Sequence, residues 1–271
     1  MALSAPIAAS PHCSLPRRHR LARKTASGAP STAASSLLAL LRFMTMFCRN
    51  PNLHQIPTYL NDLLSLGQHR IWKRMCVSWS GAKKGDVVLD LCCGSGDLTF
   101  LLSQKVGSSG EVSALDFSWK QLFVASTRRD LLWKACYKNI KWIEDDALCL
   151  PFEDSCFDAI TVGFGLRNLI DKQRAMQEIF RVLKPGSKVS ILDFNKTSSW
   201  INQFREWALD NVVVPAASIY GLSDEYKYIK SSVAEYLTGK ELEKLAREVG
   251  FSDARHYEIA AGLMGNLVAT R

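Results

Sequence analysis

From residue 87 onward, short apolar runs alternate with longer segments in which apolar residues recur every three or four positions. Short apolar runs bounded by turn residues predict buried strands, and the longer segments predict helices. The first run, residues 87–91, has four apolar residues around Asp90. Gly94 and Gly96 follow and permit a tight turn, after which a helix is expected to start near Asp97. The pattern therefore predicts a strand–turn–helix unit that begins within residues 87–100.

The same alternation continues to the carboxyl end. The further predicted strands are residues 110–116, 140–147, 156–162, 188–194, 254–258 and 266–270. Residues 181–186 predict a helix end with a Pro-Gly turn, and the last two strands predict a tight hairpin with one strand antiparallel. Because repeated strand–helix–strand units give parallel strands with helices packed against them, we predict an α/β fold. It would be a Rossmann-like, seven-stranded, mostly parallel sheet with helices on both faces.

The turn after the first strand is where a ligand is expected, because such folds bind small molecules at the carboxyl ends of their strands. The glycine spacing alone fits an ordinary strand–turn–helix equally well. A dinucleotide loop, as in a nicotinamide dehydrogenase, would have a third glycine where Thr99 stands. Asp90 and Asp97 would also repel a pyrophosphate, whereas they suit a ligand that carries a sulfonium and an ammonium group. The two acids and the absence of a third glycine therefore favour S-adenosylmethionine as the ligand.

Acids at the ends of the next two predicted strands extend this interpretation. Asp116 lies 20 residues after Gly96, where a carboxylate can accept two hydrogen bonds from a ribose diol. Asp146 and Ala147 end the third predicted strand, where a carboxylate and a backbone N–H can bind the edge of an adenine. Each acid alone is typical of a solvated loop. Their order at successive strand ends predicts a class I S-adenosylmethionine-dependent methyltransferase.

The excess positive charge is confined to the beginning of the chain. The net charge is +8, but seven of the 34 Lys and Arg residues lie in residues 1–61, which contain no Asp or Glu. The remainder is close to neutral, which disfavours a nucleic-acid partner. A head rich in Ala, Ser and Arg is typical of an organelle transit peptide. We predict a disordered transit peptide and irregular head over residues 1–51, and a methyltransferase domain over residues 52–271. A chloroplast is favoured over a mitochondrion.

Eight cysteines are spread along the chain without a C-x-x-C pair. A zinc site is therefore not expected, and no metal is predicted. A spread of unpaired thiols fits a reducing compartment. Cys92 and Cys93 lie in the predicted ligand turn, where small side chains can pack, and Cys92 is counted with the cofactor-binding residues. A catalytic thiol is the alternative.

Three segments resemble signatures of the ubiquinone/menaquinone C-methyltransferases (the UbiE/MenG type). Residues 61–73 resemble the amino-terminal signature, residues 181–193 resemble the second, and residues 164–168 are typical of the group. The resemblance covers residues 61–271. It implies S-adenosylmethionine as the cofactor and four contacts to it, at Thr99, Asp116, Asp146 and Ala147.

Together with the transit-like head, the resemblance points to the plastid members of this family. It implies C-methylation of a demethylated prenyl-naphthoquinol. A mitochondrial C-methyltransferase of the ubiquinone pathway is the alternative.

The chain departs from the family pattern in two places. Pro57 stands where the family has a tyrosine four residues before Asn61, and residues 43–58 fit neither a helix nor the family. Gly163 stands where some members have a serine. The first departure leaves open a catalytically impaired isoform that acts as a cofactor-binding or assembly subunit.

Candidate catalytic residues come from the family-like segments. His69 titrates near neutral pH and is the first candidate for a general base, although a surface or capping histidine is the alternative. Asp62 would act with it, or else cap a helix that starts near Leu63. Arg167 and Asn168 would face the transferred methyl group from the loop after the fourth strand. The alternative for Arg167 is an ion pair with Asp171, four residues on.

Residues 200–215 place Trp200, Phe204 and Trp207 on one face of a predicted helix. This face either packs on the core or forms an apolar lid over a prenyl chain. No stretch is long and apolar enough to span a bilayer, so any membrane contact would be peripheral.

Overall fold

The computed structural model describes residues 65, 67–132, 134–196, 207, 211 and 223–271, with side chains from residue 228 onward in the last range. A single seven-stranded sheet forms its centre, in the order β3-β2-β1-β4-β5-β7-β6. The strands are β1 Val87–Leu91, β2 Glu111–Asp116, β3 Ile140–Glu144, β4 Phe157–Gly163, β5 Leu183–Phe194, β6 Asp253–Ile259 and β7 Met264–Thr270. Strand β7 runs antiparallel to both of its neighbours, β5 and β6, and the other pairs are parallel.

Helices cover both faces of the sheet. They are α1 Gln68–Trp79, α2 Asp97–Val106, α3 Trp119–Leu132, α4 Lys172–Val182, α5 Ser223–Glu235 and α6 Gly239–Val249. Alternate residues of β1 divide between the two layers: Val88 packs in the apolar cluster with α1 and α2, whereas Leu89 packs in the cluster with α4 and α6. This alternation follows from the two-residue period of a strand. The predicted fold is confirmed, including the antiparallel strand of the final hairpin.

The order of the strands places the ligand region. The chain leaves β1 on one side towards β2 and β3, and returns on the other side with β4. The loops after β1 and β4 therefore diverge at a topological switch point, which opens a crevice at the carboxyl edge of the sheet.

Two predicted boundaries were wrong. Strand β3 ends at Glu144, because Asp146 begins a turn in which its side chain accepts a hydrogen bond from the Leu148 N–H at 2.9 Å. The predicted Pro-Gly turn is instead a bulge inside β5, where the register with β4 shifts. Gly186 has a φ of +78° there, and its N–H donates to the Arg271 carbonyl at 2.9 Å. The bulged residue thus keeps a backbone partner in the residue that directly follows β7.

Several predictions fall outside the described residues. Asp62, Pro57 and the helix start near Leu63 do so, and α1 is described from Gln68. Only Trp207 and Asn211 are described within residues 200–215, and Trp207 is exposed. None of the described helices is both long and apolar enough to cross a bilayer. The described residues also contain no group of three or more potential metal ligands.

The expectation of unpaired thiols holds at five of the described cysteines and fails at one. Free thiols are present at Cys76, Cys92, Cys93, Cys136 and Cys156. Cys149 is disulfide-bonded.

Candidate active site

The turn between β1 and α2 exposes its backbone at one glycine and packs it at another. Cys92, Gly94 and Gly96 all have positive φ angles, of +57°, +52° and +87°. A Cβ added at Gly96 would lie 3.1 Å from the Trp142 ring and 3.2 Å from the Phe100 ring, whereas one added at Gly94 would meet nothing within 4 Å. Gly96 is therefore required for packing, while the space beside Gly94 is open.

Asp116, at the end of β2, holds this turn in place. Its Oδ2 accepts a hydrogen bond from the Gly94 N–H at 2.8 Å, and its Oδ1 accepts one from the Ser118 N–H at 3.0 Å. The carboxylate is buried, and burial raises its pKa although both hydrogen bonds oppose that rise. Each carboxylate oxygen has a second lone pair, so the group retains acceptor capacity.

Asp90 lies beneath the turn, in the middle of the sheet. It is 1% exposed, and its two oxygens accept hydrogen bonds from the hydroxyls of Thr99 at 2.6 Å and Thr161 at 2.8 Å. Burial raises its pKa to about 7, against the effect of the two hydroxyl donors. Thr99 is fully buried. Its hydroxyl therefore contacts Asp90 and does not line the cavity. The expected contact between Thr99 and the cofactor stays a prediction, and any influence of Thr99 on the cofactor would be indirect, through Asp90.

Asp97, the first residue of α2, is part of an ion cluster at the rim of the same turn. Its Oδ2 lies 2.5 Å from the Lys73 ammonium, and its Oδ1 lies 2.8 Å from the Arg128 guanidinium. Burial opposes ionisation of this carboxyl, but the two cations outweigh that effect and lower its pKa to about 2. Arg128 also donates to the Ser95 carbonyl at 2.6 Å, so the cluster connects α1, α2 and α3 through the turn.

The residues at the end of β3 meet those at the end of β2. The Asp145 N–H lies 3.3 Å from the Asp116 carbonyl oxygen. Asp146 follows on the surface, and the side chain of Ala147 is buried. The predicted ribose-binding and adenine-binding positions are thus neighbours along one edge of the sheet.

A cavity of about 160 Å³ opens between the loops after β1 and β4. Its lining residues are Lys73, Asp90, Cys92, Cys93, Gly94, Ser95, Asp97, Leu98, Gly163 and Phe164. The predicted residues Asp90, Cys92 and Gly94 therefore share one cavity. Asp116 reaches its wall through Gly94, while Gly96, Thr99, Asp146 and Ala147 are not lining residues.

Small residues allow these two loops to approach closely. A Cβ added at Gly165 would lie 2.4 Å from the Cys92 Cβ, and one added at Gly163 would lie 2.5 Å from Leu98 Cδ1. Burial raises the pKa of the Cys92 thiol, with nearby carboxylates adding to the effect. Cys92 is therefore held as a neutral thiol, which disfavours the catalytic-thiol alternative.

The alternative ion pair between Arg167 and Asp171 is wrong. The Arg167 guanidinium lies 3.2 Å from Asp193 of β5, and the two side chains are 7% and 4% exposed. Asp171 instead caps α4 by accepting a hydrogen bond from the Arg174 N–H at 2.8 Å. Burial raises the pKa of Asp193, and the Arg167 charge is the leading influence against that rise.

Arg167 and Asn168 lie in a short 3₁₀ turn, Leu166–Asn168, behind the cavity wall. Both side chains donate to the Phe164 carbonyl, at 2.8 Å and 3.1 Å. Asn168 is exposed, and its Oδ1 accepts a hydrogen bond from the Tyr228 hydroxyl of α5 at 3.1 Å. The pair thus anchors Phe164, which lines the cavity.

His69 lies on α1, one turn before Lys73. Residues four apart share a helix face, so His69 and the cavity-lining Lys73 lie on the same side of α1. The His69 ring is buried, and its Nδ1 lies 2.9 Å from the Ser65 hydroxyl oxygen. The structure thus brings this candidate base to within one helical turn of the cavity wall.

A family model described as "ubiE/COQ5 methyltransferase family" matches residues 55–271. The chain belongs to this family.

Similar proteins support the same assignment. The chain is 66% identical over 218 residues to "2-phytyl-1,4-beta-naphthoquinone methyltransferase, chloroplastic" of Arabidopsis thaliana, an alignment that covers 79% of the chain and 84% of that protein. It is 49% identical over 218 residues to a "2-phytyl-1,4-naphtoquinone methyltransferase" of a Nostoc species, with coverage of 79% and 94%. As a ubiE/COQ5 family member, the chain is a methyltransferase.

A solved structure independently supports the fold of this ubiE/COQ5 methyltransferase. The crystal structure of a SAM-dependent methyltransferase from Aquifex aeolicus superposes with a TM-score of 0.55 and 19% sequence identity. The superposition covers 79% of this chain and 97% of the other. It confirms the class I methyltransferase fold.

Two charged residues of this ubiE/COQ5 methyltransferase were not predicted from the sequence. Lys73 is the last residue of the first family-like signature, and Asp193 is the last residue of the second. Their positions at the ends of the two signatures were a signal that these residues have a role beyond packing. Their partners, Asp97 and Arg167, are 24 and 26 residues away along the chain, so only the folded structure reveals the pairs.

Proposed function

We propose that this methyltransferase uses S-adenosylmethionine to methylate a ring carbon of 2-phytyl-1,4-naphthoquinol in the chloroplast. The product would be phylloquinol, and the reaction would be the last ring methylation in phylloquinone (vitamin K1) biosynthesis. The observation that carries the proposal is the contact between Asp116 and Gly94, which joins an acid at the end of β2 to an open glycine turn after β1.

The residues around the cavity fit S-adenosylmethionine. The open face of Gly94 allows close approach to the backbone, and Asp116 retains acceptors for a ribose diol. Asp146 and Ala147 follow along the sheet edge for the adenine, while the carboxyl groups of Asp90 and Asp97 line the cavity near the turn. When bound, S-adenosylmethionine supplies an electrophilic methyl group on a sulfonium.

The names of the curated relatives support the substrate. Proteins named for 2-phytyl-1,4-naphthoquinone methylation share 66% and 49% of aligned residues with this chain. A quinone ring is electron-poor, so the reactive form must be the reduced quinol. Loss of a phenolic proton raises electron density on the adjacent carbon. That carbon then gains the methyl group and releases its hydrogen as a proton.

Residues of this chain are assigned to the two proton transfers. His69, on the cavity side of α1, is the candidate general base, with Asp62 as its candidate partner. Arg167, paired with Asp193, and Asn168 both donate to the Phe164 carbonyl, and we assign to them the positioning of Phe164 against the quinol. These groups position the quinol and exclude water, which together supply much of the rate enhancement in such transfers.

The chloroplast assignment rests on the head of the chain and on the Arabidopsis relative. Residues 1–51 have the composition of a transit peptide, and that relative is named as chloroplastic. The relatives give no support to the mitochondrial alternative. Fusion of residues 1–51 to a reporter protein tests the chloroplast localisation. Delivery of the reporter to mitochondria would contradict it.

The reaction can be tested with the purified full chain, labelled S-adenosylmethionine and chemically reduced 2-phytyl-1,4-naphthoquinone. We expect label in phylloquinone with the reduced substrate and none with the oxidised quinone. Binding of S-adenosylhomocysteine without any turnover would contradict the proposal. It would favour the alternative of a cofactor-binding subunit, to which residues 43–58 point because their sequence departs from the family pattern.

A further inference from the structure

Lys73 is the one positively charged residue among those that line the cavity. It projects from α1, and its ammonium donates to Asp97 Oδ2 at 2.5 Å. Its side chain is only 14% exposed, which is low for a lysine. The ammonium thus lies at the rim of the glycine turn, beside Gly94 and Ser95.

The neighbouring cation, Arg128, is engaged differently. Its guanidinium donates to the carbonyl and the hydroxyl of Ser95, at 2.6 Å and 3.0 Å, and pairs with Asp97 at 2.8 Å. It also lies over the Phe100 ring, 5.4 Å from the centroid. Arg128 is not a lining residue. It therefore fixes the turn and Asp97 from behind.

Lys73 retains donors for a ligand. An ammonium has three N–H bonds, and the bond to Asp97 uses one of them. The two oxygens of Asp90, the other lining acid, accept from Thr99 and Thr161. The rim of the cavity therefore presents an adjacent cation and anion, Lys73 and Asp97, with opposite charges 2.5 Å apart.

An α-amino acid group has the matching pattern, because its ammonium and carboxylate are both attached to the same carbon atom. We propose that Lys73 binds the carboxylate of the amino-acid end of S-adenosylmethionine, while Asp97 orients Lys73 and faces the ammonium. This inference rests on the proposed function and assigns a specificity-determining residue to its cofactor site. The alternative role for Lys73 is to join α1 to α2 through an ion pair alone.

Two ligands separate these roles in the full chain. S-adenosylhomocysteine has the amino-acid end, and 5′-methylthioadenosine lacks it. Isothermal titration calorimetry would measure both dissociation constants for the wild type, Lys73→Met and Lys73→Arg. Lys141→Met is the matched control, because Lys141 also pairs with an acid, Glu111 at 2.6 Å, on the exposed surface.

We expect Lys73→Met to weaken S-adenosylhomocysteine about tenfold or more, the size of one charge-assisted hydrogen bond. Binding of 5′-methylthioadenosine should stay within about twofold, since a factor of two is well below one such bond. Lys73→Arg should recover most of the lost affinity, and Lys141→Met should change neither constant.

Other outcomes overturn the inference. Unchanged binding of S-adenosylhomocysteine to Lys73→Met would exclude a carboxylate contact. Equal weakening of both ligands would identify Lys73 as a purely structural residue. A wild-type chain that binds neither ligand would overturn the proposed function as well. One that binds both, but methylates no quinol, would overturn the proposed function alone.

Discussion

The carboxylate of Asp116 accepts a hydrogen bond from the backbone N–H of Gly94 at 2.8 Å, although the two residues are 22 positions apart along the chain. This bond closes the end of β2 onto the glycine turn after β1. The same carboxylate that holds the turn is the group that we propose to bind the ribose of the cofactor.

Replacement of Asp116 by Ala should abolish most cofactor affinity. Two charge-assisted hydrogen bonds to a ribose would be lost, each worth about 1.5–3 kcal/mol, and Gly94 would lose its partner. Calorimetry with S-adenosylhomocysteine should therefore show a dissociation constant raised by about a hundredfold or more. Asp253→Ala, an exposed acid on β6, is the control. An unchanged constant would remove Asp116 from the site.

The raised pKa of Asp90 predicts a pH-dependent stability. Its pKa rises from 3.8 to about 7 on folding, so between these values the folded state holds a proton that the unfolded state has lost. The contribution of this group is fully present below pH 3.8. It falls as the pH rises through 7, by about 1.4 kcal/mol per unit within the window.

Asp90→Asn removes this titration. Relative to the wild type, the free energy of unfolding of the variant should rise between pH 5 and pH 7 and level off above pH 8. Urea unfolding at four pH values would measure the difference. A difference that does not vary with pH would show that Asp90 is already ionised at pH 5.

Removal of one charge from the buried pair of Arg167 and Asp193 should lower the stability of the fold. Both side chains are almost inaccessible, so Arg167→Met leaves an uncompensated carboxylate and should lower the free energy of unfolding by about 3–5 kcal/mol. The double variant Arg167→Met with Asp193→Asn should recover part of that loss. The exposed pair of Arg255 and Asp253 is the control, where we expect little change. Strict additivity of the two buried changes would mean that the charges do not interact.

Restoring the serine found in some family members at Gly163 should destabilise this chain. The added Cβ would lie 2.5 Å from Leu98 Cδ1, and overpacking of this kind costs about 1–3 kcal/mol. Leu98→Val should relieve part of the cost in the double variant. Thermal unfolding of the three variants measures it. A fully stable Gly163→Ser would mean that Leu98 has room to move.

If His69 is the general base, His69→Gln should lower kcat about a hundredfold or more, as is usual when a base is lost. The dissociation constant of S-adenosylhomocysteine should not change, because no cofactor contact is assigned to His69. Steady-state kinetics with the reduced quinone and calorimetry separate the two effects. Wild-type kcat in this variant would exclude His69 as the base.

The individual strands and the turn were predictable because their causes are local. The apolar run of β1 and the glycines after it specify a strand, a turn and a helix start at Asp97 within a short stretch of chain. Errors occurred where side chains or neighbouring strands decide the boundary. Asp146 ends β3 early through its own hydrogen bond, and β5 extends back through Pro185 because it pairs with β4.

The sequence by itself determined which residues belong to the family signatures, the succession of strands and helices, and the acids at the strand ends. The tertiary structure decided which of those residues meet. Thr99 was expected to contact the cofactor, but its hydroxyl contacts Asp90. An ion pair with Asp171 was the alternative for Arg167, but Arg167 pairs with Asp193. Lys73 pairs with Asp97. Such pairs join distant parts of the chain, and their geometry depends on how helices pack on the sheet. A local pattern contains no information on that packing.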